Sequence, residues 1–180
     1  LCRWIGGTEL VIHGGAYADQ NEGIAGVQQV LEATLGQFER SGVSLNLENR
    51  DAYDYCNCIE ILSEPWELIE VLSLDSPLLR FCFDTGQGNM TNNSEALLQE
   101  LAPWLNYVHL ADNGGEHDDH FMFREGSVAS DRDFQLMQDA GFDGGFCYRV
   151  SCRKNRQPFD KCVQKNSGSV ESWMRQTIER

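Results

Sequence analysis

Val43-Ser44-Leu45-Asn46-Leu47-Glu48-Asn49 alternates apolar and polar side chains and ends on a carboxylate and an amide. Period-two alternation is the signature of a strand with one buried face. Upstream, residues 22–40 place Ile24, Val27, Val30, Leu31 and Leu35 at helical spacing. Before that, Leu10-Val11-Ile12 forms a short apolar run that stops at His13-Gly14-Gly15. A strand, a helix and a second strand in this order form the unit of a parallel sheet with crossover helices.

The pattern continues downstream. Pro65 opens a helix through Trp66, Leu68, Ile69, Val71 and Leu72, proline being favoured in a first turn. Leu79 to Phe83 reads as a strand ending at Asp84-Thr85-Gly86. Ser94 is expected to cap a helix running to about Leu101. Tyr107 to Leu110 is the next strand, Asp131 begins a helix that stops at Gly141, and Phe146 to Val150 is the last strand. A weak further strand is expected near Ser127-Val128, and a terminal helix from about Ser169 to Arg180.

Polar residues recur at the C-terminal ends of these strands: His13, Glu48, Asp84, His109 and the loop 112–120. In α/β folds that edge is where ligands sit. One strand-end carboxylate is ordinarily a helix cap or a surface group. Three metal-type ligands on successive strands point instead to a shared site. Glu48, Asp84 and His109 together offer two oxygens and one nitrogen to a divalent metal ion, with coordination positions left for substrate. Asp118 and His120, two residues apart, face one ligand if their segment is extended.

Composition narrows the partners. The 180 residues include 41% hydrophobic and 23% charged side chains, as expected for one globular domain. The net charge of −14 opposes nucleic-acid binding, and the only dense basic stretch is Arg153, Lys154 and Arg156 with Lys161 and Lys165. No apolar run approaches the roughly 20 residues of a membrane span, and none reads as a secretory signal. The seven cysteines, Cys2, Cys56, Cys58, Cys82, Cys147, Cys152 and Cys162, form no regular framework. They read as thiols, and the expected compartment is the reducing cytoplasm.

Six segments, taken in order, resemble a known superfamily. They are Val11-Ile12-His13-Gly14-Gly15, Leu45-Asn46-Leu47-Glu48-Asn49, Phe83-Asp84-Thr85-Gly86-Gln87, Val108-His109-Leu110-Ala111-Asp112, Asp118-Asp119-His120 and Gly141-Phe142-Asp143-Gly144. Their order and spacing are similar to the xylose isomerase-like TIM barrels, in particular the sugar phosphate isomerase/epimerase group. Inosose dehydratases, hydroxypyruvate isomerases and, more distantly, endonuclease IV share that superfamily. The resemblance begins at the third strand. It implies a partial (β/α)8 barrel over residues 1–152, strands 3 to 8, lacking the first two β/α units. Residues 153–180 would form a C-terminal extension.

The resemblance implies roles. Glu48, Asp84 and His109 would hold the divalent ion (manganese, magnesium, zinc or cobalt), and Glu48 would also move protons. His13 would line the site. Asp118 and His120 match the Asp-x-His pair that binds an additional zinc in the endonuclease branch; in isomerase-like members this region contacts substrate. His13 and His120 are both suited to a second proton transfer. The family's histidine three positions after Asp84 is Gln87 here, a hydrogen-bonding group toward substrate and a poor metal ligand. The family's last-strand glutamate, a metal ligand, corresponds to Arg149. Arginine there repels a cation, and it suits a substrate carboxylate or phosphate. Arg124-Glu125-Gly126-Ser127 also departs from the family's Gly-Glu-Gly.

The implied activity is metal-dependent isomerisation or epimerisation of a sugar or polyol derivative, or a related elimination, by proton abstraction next to a carbonyl. The alternative is a divergent polyol-binding barrel without the fourth ligand. An endonuclease-like zinc enzyme is opposed by Gln87, Arg149 and the net charge. Six strands cannot close an eight-stranded barrel without leaving edges, so the expectation is a fragment of a longer barrel, a homo-oligomer that covers the edges or an unusual reduced barrel.

Overall fold

The computed structural model describes residues 2–52, 54–74 and 76–151. After a 3-10 turn at Cys2–Ile5 come β1 (Glu9–Ile12), β2 (Ala16–Tyr17), α1 (Gln20–Ser41), β3 (Ser44–Glu48), β4 (Asp54–Tyr55) and β5 (Cys58–Glu60). Then follow α2 (Pro65–Leu72), β6 (Leu79–Asp84), α3 (Thr85–Thr91), α4 (Ser94–Glu100), β7 (Leu105–Leu110), α5 (Ser130–Asp139) and β8 (Gly145–Tyr148). The terminal helix expected near residues 169–180 lies outside the described residues.

The main sheet has five parallel strands in the order β1-β3-β6-β7-β8. Leu45, Leu47, Phe81, Phe83 and Val108 point from one face into a core shared with Ile24, Leu31, Leu68 and Leu97 of the helices. The alternate positions, Asn46, Glu48, Cys82 and Asp84, are also buried, but on the inner face. That face is polar. Glu9 Oε2 accepts hydrogen bonds from Asn46 Nδ2 and Asn106 Nδ2, each at 2.8 Å. Glu9 starts the first strand of the sheet and Asn106 lies on the fourth, so the contact requires the sheet to curl. The result is a half-barrel with its strand C-termini at one rim.

Local chemistry sets the helix ends. Asp19 caps α1 by accepting from Glu22 N at 2.9 Å, and Gly42 ends the helix at φ +66°. Glu67 is fully buried yet saturated: Oε2 accepts from Ser63 N at 2.7 Å and Glu64 N at 2.8 Å, and Oε1 from Gln20 Nε2 at 2.8 Å. These contacts complete a capping box that fixes α2 behind Pro65.

Two expectations are corrected, and one element is new. No strand forms at Ser127-Val128. The backbone donors that a ladder needs are taken elsewhere, Gly126 N and Val128 N by the Asp112 carboxylate and Ser127 N by Asn113 O. β8 therefore pairs directly with β7. Ser94 is the first residue of α4 rather than its cap, which is Asn93. A small antiparallel sheet, β2-β5-β4, was not anticipated, because its strands have only two or three residues.

Asp133, in the first turn of α5, is 2% exposed, and its Oδ2 has no hydrogen-bond partner among the described residues. Burial raises its carboxyl to about 7, against the lowering effect of Arg132 and with a smaller contribution from Glu95. The unfolded carboxyl titrates near 4. Between these values the folded chain holds a proton that the unfolded chain has lost, so this group lowers stability as pH rises from about 4 to about 7. Asp133→Asn is expected to stabilise the protein by about 2–3 kcal/mol at pH near 8, after a small loss of helix-dipole interaction, and to have almost no effect at pH near 4. Urea denaturation at the two pH values checks this; equal effects at both would refute it.

Candidate active site

Each strand delivers one side chain to the rim. His13 follows β1, Glu48 ends β3, Asp84 ends β6, His109 lies on β7 and Arg149 follows β8. His13 Nε2 lies 3.0 Å from Glu48 Oε2, and His109 Nδ1 lies 3.1 Å from Glu48 Oε1 and 3.8 Å from Asp84 Oδ2. One ligand atom each from Glu48, Asp84 and His109 falls within 4.8 Å of the others, a spacing that suits a metal ion. The expected trio is thus assembled.

Arg149 stands among them. Its Nη1 donates to Glu48 Oε1 at 2.6 Å and to Asp84 Oδ2 at 3.0 Å, and lies 3.4 Å from His109 Nδ1. The curl of the sheet makes this reach possible, since β8 is three strands away from β3. The position that the resemblance assigns to an anionic ligand holds a cation directed into the donor set. As arranged, these residues do not fit a divalent ion, because a guanidinium nitrogen occupies the space between the donors.

Neighbouring groups fix the carboxylates. Asp84 Oδ1 caps α3 by accepting from Gln87 N at 2.9 Å, which leaves Oδ2 for the site. The side chain of Asn49 bridges two strand ends, accepting from Asp84 N at 2.7 Å and donating to Asp84 O at 3.1 Å. Thr85 Oγ1 donates to Ala111 O at 2.6 Å and accepts from Ala111 N at 3.1 Å, joining β6 to the end of β7. Tyr107 meets the His109 ring edge-on at 5.9 Å. Asn49 and Thr85 have positioning roles that sequence reasoning missed; the only signal was a polar residue directly after each strand-end acid.

Burial pulls the Glu48 carboxyl upward, but hydrogen bonds to His109 and His13 and the charge of Arg149 outweigh it. Glu48 is held well below the usual carboxylate range. Burial and then the charge of Glu48 raise Asp84 to about 6. The pair therefore takes its first negative charge on Glu48.

A second histidine–carboxylate pair lies nearby. His120 Nε2 is 3.2 Å from Asp118 Oδ2, and its Nδ1 is 2.9 Å from the Arg149 carbonyl oxygen. The hydrogen bond with Asp118 raises His120 above its ordinary value, and the same bond lowers Asp118. His120 adopts φ +53°, an unusual backbone for a non-glycine residue, held by Ser151 N donating to its carbonyl oxygen at 2.9 Å. Gln87 is buried. Its Oε1 accepts from Asp51 N at 3.0 Å and its Nε2 reaches Asp118 Oδ2 at 3.4 Å, so it braces Asp118 rather than facing open space. The rest of the 112–120 loop is mainly structural. Asp112 holds the 126–128 segment, and Asn113 donates to Gly86 O at 2.8 Å.

The sequence profile of the xylose isomerase-like TIM barrel family matches residues 1–176. The chain belongs to this family. Among curated proteins, the uncharacterized protein MJ1311 of Methanocaldococcus jannaschii is 28% identical over 110 residues, 59% of this chain and 36% of that protein. Among solved structures, a D-tagatose 3-epimerase-like protein superposes with a TM-score of 0.85 at 20% identity, covering 99% of this chain and 66% of that one. IolI with a bound zinc atom gives 0.78 at 15% identity, over 94% and 63%. L-ribulose 3-epimerase gives 0.70 at 16%, over 99% and 65%. The chain spans about a third of MJ1311 and about two thirds of these structures. At such identities the structural likeness establishes the fold, a partial barrel of the family type. No helix among the described residues is long and apolar enough to cross a membrane.

Proposed function

We propose that this site interconverts isomers or epimers of a sugar or polyol derivative by moving a proton at the carbon next to a carbonyl. The observation that carries the reading is the His13–Glu48 pair: a histidine side chain 46% exposed, anchored at 3.0 Å on a fully buried carboxylate. Glu48 is the expected base, but it is strongly held in its charged form and is capped by Arg149, His109 and His13. A carboxylate so stabilised is a weak base. It serves better to orient His13 Nε2, leaving Nδ1 to accept the substrate proton.

The step balances without an oxidant. The proton on the carbon next to the carbonyl passes to His13 Nδ1. The C–H electron pair becomes the C=C bond of an enediol, and the carbonyl π pair moves onto oxygen, where it meets an N–H of Arg149. Return of a proton to the same carbon from the opposite face, with the oxygen pair re-forming the C=O bond, gives the epimer. Return to the former carbonyl carbon, with the hydroxyl proton of the first carbon passing to the negatively charged oxygen as the new C=O forms, gives the isomer. His120 is the candidate for that second transfer through Nε2, which would have to leave Asp118 to reach substrate, because its Nδ1 is held by the Arg149 carbonyl oxygen. Family membership and the epimerase neighbours support the substrate class. The five described cysteines are free thiols, which suits a reducing cytoplasm.

Incubation with a panel of ketoses in deuterium oxide, followed by proton NMR, tests this reading. The expected result is deuterium at the carbon next to the carbonyl of at least one ketose, with His13→Gln slowing exchange by about 100-fold or more at only a small loss of stability. The presence of Arg149 in the donor set favours one second reading, a polyol-binding barrel without turnover. It predicts saturable thermal stabilisation by polyols and no exchange.

A further inference from the structure

We propose that Arg149 is the permanent cation of this site, and that the chain takes no divalent metal at Glu48, Asp84 and His109 while Arg149 is present. Metal–oxygen and metal–nitrogen bonds to such ligands are about 2.0–2.3 Å long. An ion bound by all three donors would lie within their triangle, where Nη1 already makes contacts of 2.6, 3.0 and 3.4 Å. The two cannot share that space. Placing them side by side sets a dication against a guanidinium that cannot give up its proton.

The root of the side chain is fixed beside the site. Arg149 N donates to Leu110 O at 2.8 Å, and Arg149 O lies 2.9 Å from His120 Nδ1. Glu48 and Asp84 are each about 1% exposed, so the guanidinium neutralises charge that has almost no access to water. Turning it outward would leave that charge uncompensated. All its described hydrogen bonds run through Nη1. Nη2 and Nε have no partner among the described residues, and the side chain is 28% exposed. These planar donors are suited to two adjacent substrate oxygens, the task a divalent ion performs in an enediolate mechanism. That last assignment rests on the proposed isomerase reading; the exclusion of metal does not.

The test uses the full chain, stripped with a chelator and titrated with manganese alone. Manganese is a hard ion that avoids the cysteines. Isothermal titration calorimetry and melting temperature are followed for wild type, Arg149→Glu and Arg149→Met, the last guarding against misfolding from three clustered carboxylates. Wild type is expected to show no binding at this site and no shift in melting temperature. At least one variant is expected to gain one equivalent of manganese at least about 100-fold more tightly, with a higher melting temperature when loaded. Asp84→Asn in the same background should abolish the gain. Wild-type binding that survives Asp84→Asn lies elsewhere and agrees with the proposal. Wild-type binding as tight as in the variants and lost in Asp84→Asn overturns it. So does failure of both variants to bind, because Arg149 would then not be standing in for a metal. No substrate is present, so the outcome is independent of whether the chain catalyses isomerisation.

Discussion

Replacing Arg149 by alanine is expected to destabilise the fold by about 2–4 kcal/mol near pH 8. The variant leaves Glu48 and Asp84 facing each other, buried, with histidines and the backbone N–H of Gln87 as their remaining partners and no permanent cation. Removing one partner of a buried ion pair costs more than the pair contributes, because the remaining charge stays out of water. The guanidinium is partly exposed, so the lower part of the usual range for buried pairs applies. The loss should also depend on pH. Asp84 already titrates near 6, and without Arg149 it rises further. A proton on Asp84 relieves the repulsion, and the variant takes it up at higher pH than the wild type, so the penalty shrinks as pH falls from the variant's raised value toward about 6 and then levels off. Chemical denaturation at several pH values measures this. A penalty below about 1 kcal/mol at every pH would mean that the guanidinium does not lie between the carboxylates.

Glu48→Gln is expected to lower any proton-exchange activity by about 1,000-fold. Glutamine keeps the shape but loses the charge that three partners share: His13 at 3.0 Å, His109 at 3.1 Å and Arg149 at 2.6 Å. An amide can present N–H to His13 Nε2, which favours the tautomer with its proton on Nδ1, the atom needed to accept one. The comparison with His13→Gln is informative. His13 is half exposed, so its loss should cost little stability beyond its hydrogen bond to Glu48, whereas Glu48→Gln should weaken both exchange and stability. Deuterium exchange and urea denaturation on the same samples separate the two. Full exchange activity in Glu48→Gln would remove the His13–Glu48 pair from the mechanism.

The sheet was legible because its strands alternate cleanly. Leu45 and Leu47 against Asn46 and Glu48 announce one apolar and one polar buried face, and the polar residues at the strand ends locate the rim. The trio Glu48, Asp84 and His109 followed from that regularity. Features that depend on individual side chains were less visible. α3 was hidden because Thr85-Gly86-Gln87-Gly88-Asn89 has poor helix propensity; the Asp84 cap and the packing around Gly86 and Gly88 hold it together. The β4–β5 hairpin turns through Cys56 and Asn57, both at positive φ, a conformation that cysteine does not advertise. Ser127-Val128 looked like a strand because its apolar residue could be read, whereas the Asp112 carboxylate that takes its backbone donors lies about 15 residues away in sequence.

Arg149 shows the same limit most sharply. The sequence placed an arginine where the family has a glutamate, and from that alone it could have faced substrate or solvent. Its reach to Glu48 depends on how far the sheet curls. Curl is a property of the whole half-barrel, reflected in the contact between Glu9 and Asn106 across four strands.

The most direct measurement is a crystal structure of the full chain grown with excess manganese, using anomalous scattering to locate the ion. The account predicts Arg149 Nη1 between Glu48 and Asp84, with no anomalous peak at that site. A manganese ion bound by Glu48, Asp84 and His109, with the guanidinium turned away, would contradict it.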